Sequence, residues 1–258
     1  MKDLNNYIDK FGMVVTNQMD GGDSCAHGLA MHYGAAVLKV VLPPAIESLD
    51  EYCAKLEKGF GRYVRHPDPT MWYSETNRFS RDQLTPLLLA LALTKRRKRL
   101  ATLFLAHAAH LLLFAWNTRI NASLPGTAAY AWKLPDITGP DIWAAYIRGF
   151  RFWPLYPILV VFDLMNVITA VQNRYWPQNT IQMNAVLMVD FAARVMPTPT
   201  ALLARWIYGK EEPVKALNSN WGDVTLFNPP VHQYLVPTAA RIWMARAPNP
   251  QAAGLQIT

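Results

Sequence analysis

Ser80-Arg81-Asp82-Gln83-Leu84-Thr85-Pro86-Leu87-Leu88-Leu89-Ala90-Leu91-Ala92-Leu93-Thr94-Lys95-Arg96-Arg97-Lys98-Arg99-Leu100 is the stretch on which the fold turns. Ser80 with Gln83 three residues on is a capping-box pattern, which satisfies two otherwise orphaned amides at a helix start. Pro86 is tolerated near a first turn and would be costly deeper inside. The Leu/Ala run carries the helix to about Thr94. Five consecutive cations then make a polar turn, and a second apolar helical pattern runs from about Leu100 to Asn117. Two apolar helices joined by a short basic turn form a helical hairpin, and hairpins this apolar pack in layers around a shared centre.

Helical spacing also dominates on either side of this hairpin, and strand signals are scarce. A first helix begins near Asp23 or Ser24, either of which can cap it, and runs through Leu42 until Pro43-Pro44 stops it. Ala45–Lys58 carries Ile46, Leu49, Tyr52, Cys53 and Leu56 on one side and ends at Gly59-Phe60-Gly61. Arg62–Phe79 and Pro125–Pro140 read as loops. Further helices are expected over Pro140–Phe150, Leu155–Tyr175, Asn179–Val195 and Thr200–Tyr208. Leu217–Phe227 reads as irregular, Pro230–Arg246 as helix, and the tail from Pro248 as frayed. With no repeat and no composition break, residues 1–258 read as a single all-α domain of helical hairpins. A partial α/α toroid is the first expectation for it and an irregular bundle the second.

Apolar residues make up 52% of the chain and charged residues 17%, which supports a sizeable core and excludes a disordered chain. The formal charge of +7 favours anionic partners. Lys95-Arg96-Arg97-Lys98-Arg99 concentrates much of that charge. It reads as a solvated turn whose cations cap the preceding helix, with docking to an anion or a membrane surface as the alternative. No aromatics interleave with it and no nucleic-acid motif accompanies it, so nucleic acid is not an expected partner. Thr102–Trp116 and Tyr156–Val171 are the most apolar runs. Each is shorter than the roughly 20 residues a span needs and is interrupted by His107 and His110 or by Asp163 and Asn166. Both therefore read as buried helices, with peripheral membrane contact kept open. Met1-Lys2-Asp3-Leu4-Asn5 lacks a secretory apolar segment, so a cytoplasmic location is expected, with signal-independent export as the alternative. Cys25 and Cys53 alone form neither a disulfide framework nor a zinc spacing.

Two stretches hold most of the reactive polar groups. The first is Asp20-Gly21-Gly22-Asp23-Ser24-Cys25-Ala26-His27. The second is Arg65-His66-Pro67-Asp68, then Trp72-Tyr73-Ser74, then Asn77-Arg78-Phe79-Ser80-Arg81-Asp82-Gln83. Gly21 and Gly22 allow a ligand close to the backbone, and the helix starts that follow offer free amides. Two carboxylates whose pKa values are pushed apart, one by an adjacent guanidinium and one by an apolar wall, are what glycosidic cleavage needs. Asp82 with Asp20 or Asp23 can form that pair, and His27 or His66 can assist proton transfer. Arg65, Arg78 and Arg81, with Asn77 and Gln83, suit substrate carboxylates and hydroxyls, while Trp72 and Tyr73 suit sugar rings. Asp163, in an apolar helix, forms a second wall or a polar network between helices; buried there it needs a partner, for which Arg65, Arg81 or a histidine could serve. Asp20, Asp23, His27 and His66 also allow a divalent metal, although no HExxH or Cys/His ligand spacing supports one. Cys25 beside His27 allows a nucleophilic pair, again without a matching signature.

The combination Asp20-Gly-Gly-Asp-Ser, Arg65-His-Pro, Trp72-x-Ser74 and Asn77-Arg-Phe-Ser-Arg-Asp-Gln83 resembles a pattern of uncharacterised phage and bacterial proteins. The aspartate-rich helix start and the Arg-Asp-Gln start are also similar to loops of α/α-toroid carbohydrate-active enzymes. Among these, the unsaturated glucuronyl hydrolases carry Arg-Gly-Gln at a comparable place, where position 82 here is Asp. The resemblance covers the first third of the chain. It implies cleavage of a polar, anionic saccharide by a hydrolase or lyase that uses carboxylate acid/base chemistry and needs no cofactor. A metal-dependent hydrolase and a non-enzymatic membrane- or partner-binding helical protein are the alternatives.

Overall fold

A computed structural model describes residues 8–14, 21–39, 41–42, 44–68, 81–117, 139–175 and 183–208, with backbone alone for 21–27, 81–82, 110–117, 173–175 and 183–184. The fold is all-α. The helices are α1 (Gly21–Leu38), α2 (Leu49–Leu56), α3 (Arg81–Leu93), α4 (Arg97–Asn117), α5 (Pro140–Phe150), α6 (Tyr156–Phe162), α7 (Leu164–Tyr175), α8 (Met183–Arg194) and α9 (Pro199–Tyr208). Strand-like pairing among the described residues is confined to two isolated bridges, Ile8 with Val14 and Glu57 with Tyr63. The expected helix at 230–246 and irregular segment at 217–227 lie outside the described residues.

Local chemistry explains most boundaries. α2 starts at a capping box in which the Glu51 amide donates to the Ser48 hydroxyl (3.4 Å) and the Ser48 amide donates to the Glu51 carboxylate (3.1 Å). α5 begins with Pro140 at a position where no amide is needed and ends at Arg151 in a left-handed conformation, φ 55°. α1 stops at Leu38, short of the expected Leu42, because Lys39 turns left-handed (φ 54°) before Pro43 can act. α4 begins at Arg97, ahead of the expected Leu100, so the basic run is divided between the turn and the first turn of α4. Arg96 and Arg99 reach back to α2, Arg96 to Asp50 (2.9 Å) and Arg99 to Asp50 (3.2 Å) and Glu57 (2.8 Å).

The expected helix Leu155–Tyr175 keeps its course with a single interruption at Asp163, whose amide donates to the Leu159 carbonyl (2.9 Å) and whose carbonyl accepts from the Val167 amide (3.1 Å). A short 3-10 turn at Trp153–Leu155 leads into α6, and α7 follows Asp163. Among the described residues the partner of Asp163 is Arg148 of α5 (2.5 Å), neither Arg65 nor a histidine, while the side chain of Arg81 lies outside the described residues; Thr198 and Asn166 also donate to its carboxylate. The expectation that this run is buried is also corrected. Trp153–Gln172 spans 20 residues with mean hydropathy 1.8, yet only 22% of it is buried.

α3 is the hub, buried from Gln83 to Ala92. Its pairing with α1 is the most extensive helix contact in the fold, and it also packs on α5, α8 and α4. The two-residue turn after Thr94 makes α4 antiparallel to α3. Leu100 meets Gly149, Phe104 meets Tyr146 at 5.3 Å, and His107 stacks on Trp143 at 4.9 Å, so α5 runs antiparallel to α4 and parallel to α3. Thr94 shares a cleft with Ala35, Ala36 and Lys39 at the end of α1. An antiparallel α3 would overhang that end and touch α1 only at its tip, so the extensive pairing requires α1 and α3 to be parallel. α1, α3 and α5 run parallel, with α2 and α4 antiparallel to them, in one helical assembly. Its centre is filled by the side chains of α3, in the manner of a bundle.

α8 and α9 close the remaining side through a buried carboxylate. Asp190 accepts from Tyr33 of α1 (2.8 Å) and from Arg194 (2.7 Å), and pairs with Arg205 of α9. The Asp190–Arg194 pair, four residues apart on α8, is therefore part of a larger centre. Burial, aided by the charge of Asp190, pushes the Tyr33 hydroxyl well above its ordinary pKa, which keeps it a donor.

Candidate functional site

The helix directions bring the described parts of the two polar stretches, the starts of α1 and α3 and the Arg65–Asp68 segment, toward one end of the described helices. With the end of α3 beside the end of α1, the first turns of these two parallel helices, which carry Asp82 and Asp23, lie toward the same end. His27 sits about one turn further in. Both Asp23 and Asp82 are in first turns, Asp23 of α1 and Asp82 of α3. Pro86 lies inside α3 and has no amide to give the Asp82 carbonyl.

α2 delivers the other stretch to the same end. Glu47 and Ser48 share the cleft with Ala36 and Lys39. Further along, the Tyr52 hydroxyl presses on Gly28, where an added Cβ would lie 2.1 Å from it, and the Tyr52 ring meets His32 at 5.5 Å. α2 therefore runs back along α1 toward the N-terminal end of α1. There Val64 donates to the Leu56 carbonyl (2.9 Å), and Arg65-His66-Pro67-Asp68 follows. Gly28 is what allows the close approach: its partner is the tip of a rigid, fully buried tyrosine with no room to withdraw.

His66 is 1% exposed. Its Nε2 meets the Asp9 carboxylate at 2.7 Å, and its Nδ1 accepts from the Asp68 amide at 3.0 Å. Because a backbone amide can only donate, Nδ1 is the unprotonated nitrogen and Nε2 carries the hydrogen toward Asp9. With both nitrogens engaged, the imidazole anchors the loop. Asp9 also accepts from the Phe11 and Met13 amides, both at 2.8 Å, and so ties the N-terminal turn to it. Arg65, beside His66, is partly exposed. Gln83 is fully buried in the first turn of α3.

A carboxylate not foreseen as a site residue joins this end. Gly149 packs on Ala92, so the start of α5, about 12 Å back along the helix, lies level with Leu84. Asp141 is there, 5% exposed, in the first turn of α5. Its signal in sequence was weak: an acidic residue after Gly139-Pro140 is ordinary helix-dipole placement, and burial decides otherwise. Three parallel helix starts facing one region make it favourable for negative charge.

Asp163 belongs elsewhere, with its carboxylate engaged by Arg148, Thr198 and Asn166. His107 is a buried helix-contact residue, 3.3 Å from the Tyr146 hydroxyl. Cys53 is a core thiol that burial pushes up to about 12. Asp20, Trp72, Tyr73, Asn77 and Arg78 lie outside the described residues, as do the side chains of Asp23, Cys25, His27, Arg81 and Asp82. Among the described residues no group of three or more His, Cys, Asp or Glu comes together as a metal-ligand set. No family model, curated protein or solved structure matches the chain.

Proposed function

We propose that the end where α1, α3 and α5 begin is the active site of a glycan-cleaving enzyme acting on an anionic saccharide. What supports this reading is the parallel course of α1 and α3, neighbouring helices that each carry one of these aspartates, Asp23 and Asp82, in the first turn. Asp82, beside Arg81 and above the apolar body of α3, and Asp23, after the double glycine, act as the acid/base pair. Arg65, Arg78 and Arg81 hold substrate carboxylates, an interaction that the helix starts reinforce. Trp72 and Tyr73 supply the stacking platform. His27, four residues after Asp23, assists proton transfer, while His66 positions the Arg65–Asp68 loop through Asp9.

The test is to incubate wild type and Asp82→Asn with acidic and neutral polysaccharides, peptidoglycan included. Reducing ends and the ultraviolet absorbance of new double bonds are followed, with and without chelator. Wild type is expected to cleave an acidic glycan despite chelator, and Asp82→Asn to lose about 100-fold or more of the rate while unfolding at the wild-type temperature. Full activity in Asp82→Asn would remove the assignment. Activity abolished by chelator would transfer the site to metal chemistry.

A further inference from the structure

We propose that the outer face of α6 and α7, with the basic edge at its start, is a docking surface for an anionic phospholipid bilayer, on which the molecule lies without crossing it. Trp153–Gln172 carries two stripes at helical spacing. Leu159, Asp163, Asn166 and Ala170 face inward and are buried. Ile158, Val161, Leu164, Met165 and Ile168 face outward, each between 41% and 61% exposed. Asp163 is the sole charge between Trp153 and Gln172, and it points away from the exposed stripe into its ion pair with Arg148. A contiguous apolar face of this kind is unusual on a monomer's surface and marks an interaction site. Beneath its start an apolar cleft of about 570 Å³, lined by Phe104, Trp143, Phe150, Phe152, Leu155 and Phe162 among others, continues the greasy surface inward.

Charge identifies the occupant. Trp153, 61% exposed, stacks on Tyr156 at 5.8 Å, and Arg151 precedes it on the surface. Gly149 is seated against Leu100 and Ala92, so Arg151 and Phe152 leave α5 beside the α3–α4 turn. Along that basic run Arg96 and Arg99 are committed to Asp50 and Glu57, while Lys95, Arg97 and Lys98 are exposed and pair with no carboxylate among the described residues. An apolar stripe bounded at one end by amphipathic aromatics and free cations has the chemistry of a bilayer's acyl and headgroup zones. A second copy fits less well: a two-fold contact would set the same cations near one another. Spanning is excluded by the inward stripe, which would carry the Asp163–Arg148 pair into hydrocarbon.

Flotation of the full chain with vesicles of phosphatidylcholine, alone or mixed with phosphatidylglycerol, at low and high salt, tests this. Lys95→Gln/Arg97→Gln/Lys98→Gln removes the free cations, and Val161→Ser/Leu164→Ser/Ile168→Ser makes the face polar. Circular dichroism checks folding, and the single Ile168→Ser with a salt titration of wild type stands in if either triple variant misfolds. Wild type is expected to float with the anionic vesicles. Neutralising the three cations should weaken binding roughly a hundred-fold, and the polar face should abolish binding at both salt levels. Failure of wild type to bind anionic vesicles overturns the proposal, as does binding indifferent to the face variant. A solution dimer that the face variant dissolves also overturns it, in favour of self-association. The glycan reading is untouched by each of these outcomes, because the docking face and the helix starts share no residue.

Discussion

At the residue scale, His32 shows what burial does to a group that the surrounding fold leaves unanswered. The imidazole is 7% exposed on α1, its Nε2 has no hydrogen-bond partner, and burial lowers its pKa from 6.5 to about 4. The folded protein therefore refuses a proton that the unfolded chain accepts between these two values. Protons bound preferentially by the unfolded state make stability rise with pH, so acidification from 6.5 toward 4 removes stability. The full difference amounts to about 3 kcal/mol. His32→Leu fills the space without titrating, and its urea midpoint is expected to be much flatter across this window than that of wild type. The upper half of the window is the informative part, since carboxylates titrate below it. Parallel pH profiles for the two proteins would show that His32 is not the titrating group. His66 illustrates the opposite solution, a buried imidazole with both nitrogens engaged. Sequence placed His66 in a polar cluster and left Asp9, its actual partner 57 positions away, unconsidered, because a long-range pair leaves no local pattern.

At the scale of elements, the junction of α6 and α7 is tied to α5 by the Asp163–Arg148 pair, 0% and 1% exposed, with Arg148 also donating to the Val195 carbonyl (2.9 Å). Removing one partner strands a buried charge and costs about 3–5 kcal/mol. Asp163→Ala and Arg148→Ala should each lower the unfolding free energy by that much, whereas the double variant should cost clearly less than their sum in a denaturant double-mutant cycle. Additive losses would mean that the two side chains do not act as a pair. The contrast between α5 and α6–α7 shows what periodicity can reveal. α5 was legible residue for residue, since Gly139-Pro140 starts it and the expected end at Phe150 coincides with the left-handed turn at Arg151. The run from Leu155 to Tyr175 gave no local sign of the interruption at Asp163, where the carboxylate is engaged by Arg148 from another helix. Nor could apolar content say which way the run faces: a helix buried on one stripe and exposed on the other has the composition of a core helix. The inward stripe of Asp163, Asn166 and Ala170 was visible as a pattern, and it proved to be the side that meets the protein.

At the scale of the whole molecule, the candidate site was legible as two stretches of suitable chemistry but not as one place. Their meeting depends on the parallel course of α1 and α3 and on α2 returning along α1, relations decided by contacts such as Tyr52 on Gly28 rather than by local sequence. Asp141 became visible only once α5 was set parallel to α3. The same architecture has a consequence for stability. α3 supplies buried surface to α1, α5 and α8 at once, so none of these can leave without exposing the apolar face of the hub. Asp190 adds a polar tie between the early and late helices, joining Tyr33 to Arg194 and Arg205 across 157 positions of sequence. A shared hub and a cross-chain tie make the inner helices one cooperative unit. Urea unfolding should therefore give coincident transitions by far-ultraviolet circular dichroism and by tryptophan fluorescence. Asp190→Ala, which leaves two guanidinium groups around an empty position, should move both transitions together to lower denaturant by an amount equivalent to about 3–5 kcal/mol. If the variant instead split the transition, with one probe moving and the other staying, α8 and α9 would be a separable unit. Asp190 would then join two units instead of stabilising one. Coincident displacement would show that a single folding event assembles the three helix starts, because no subset of these helices persists alone to hold part of the site.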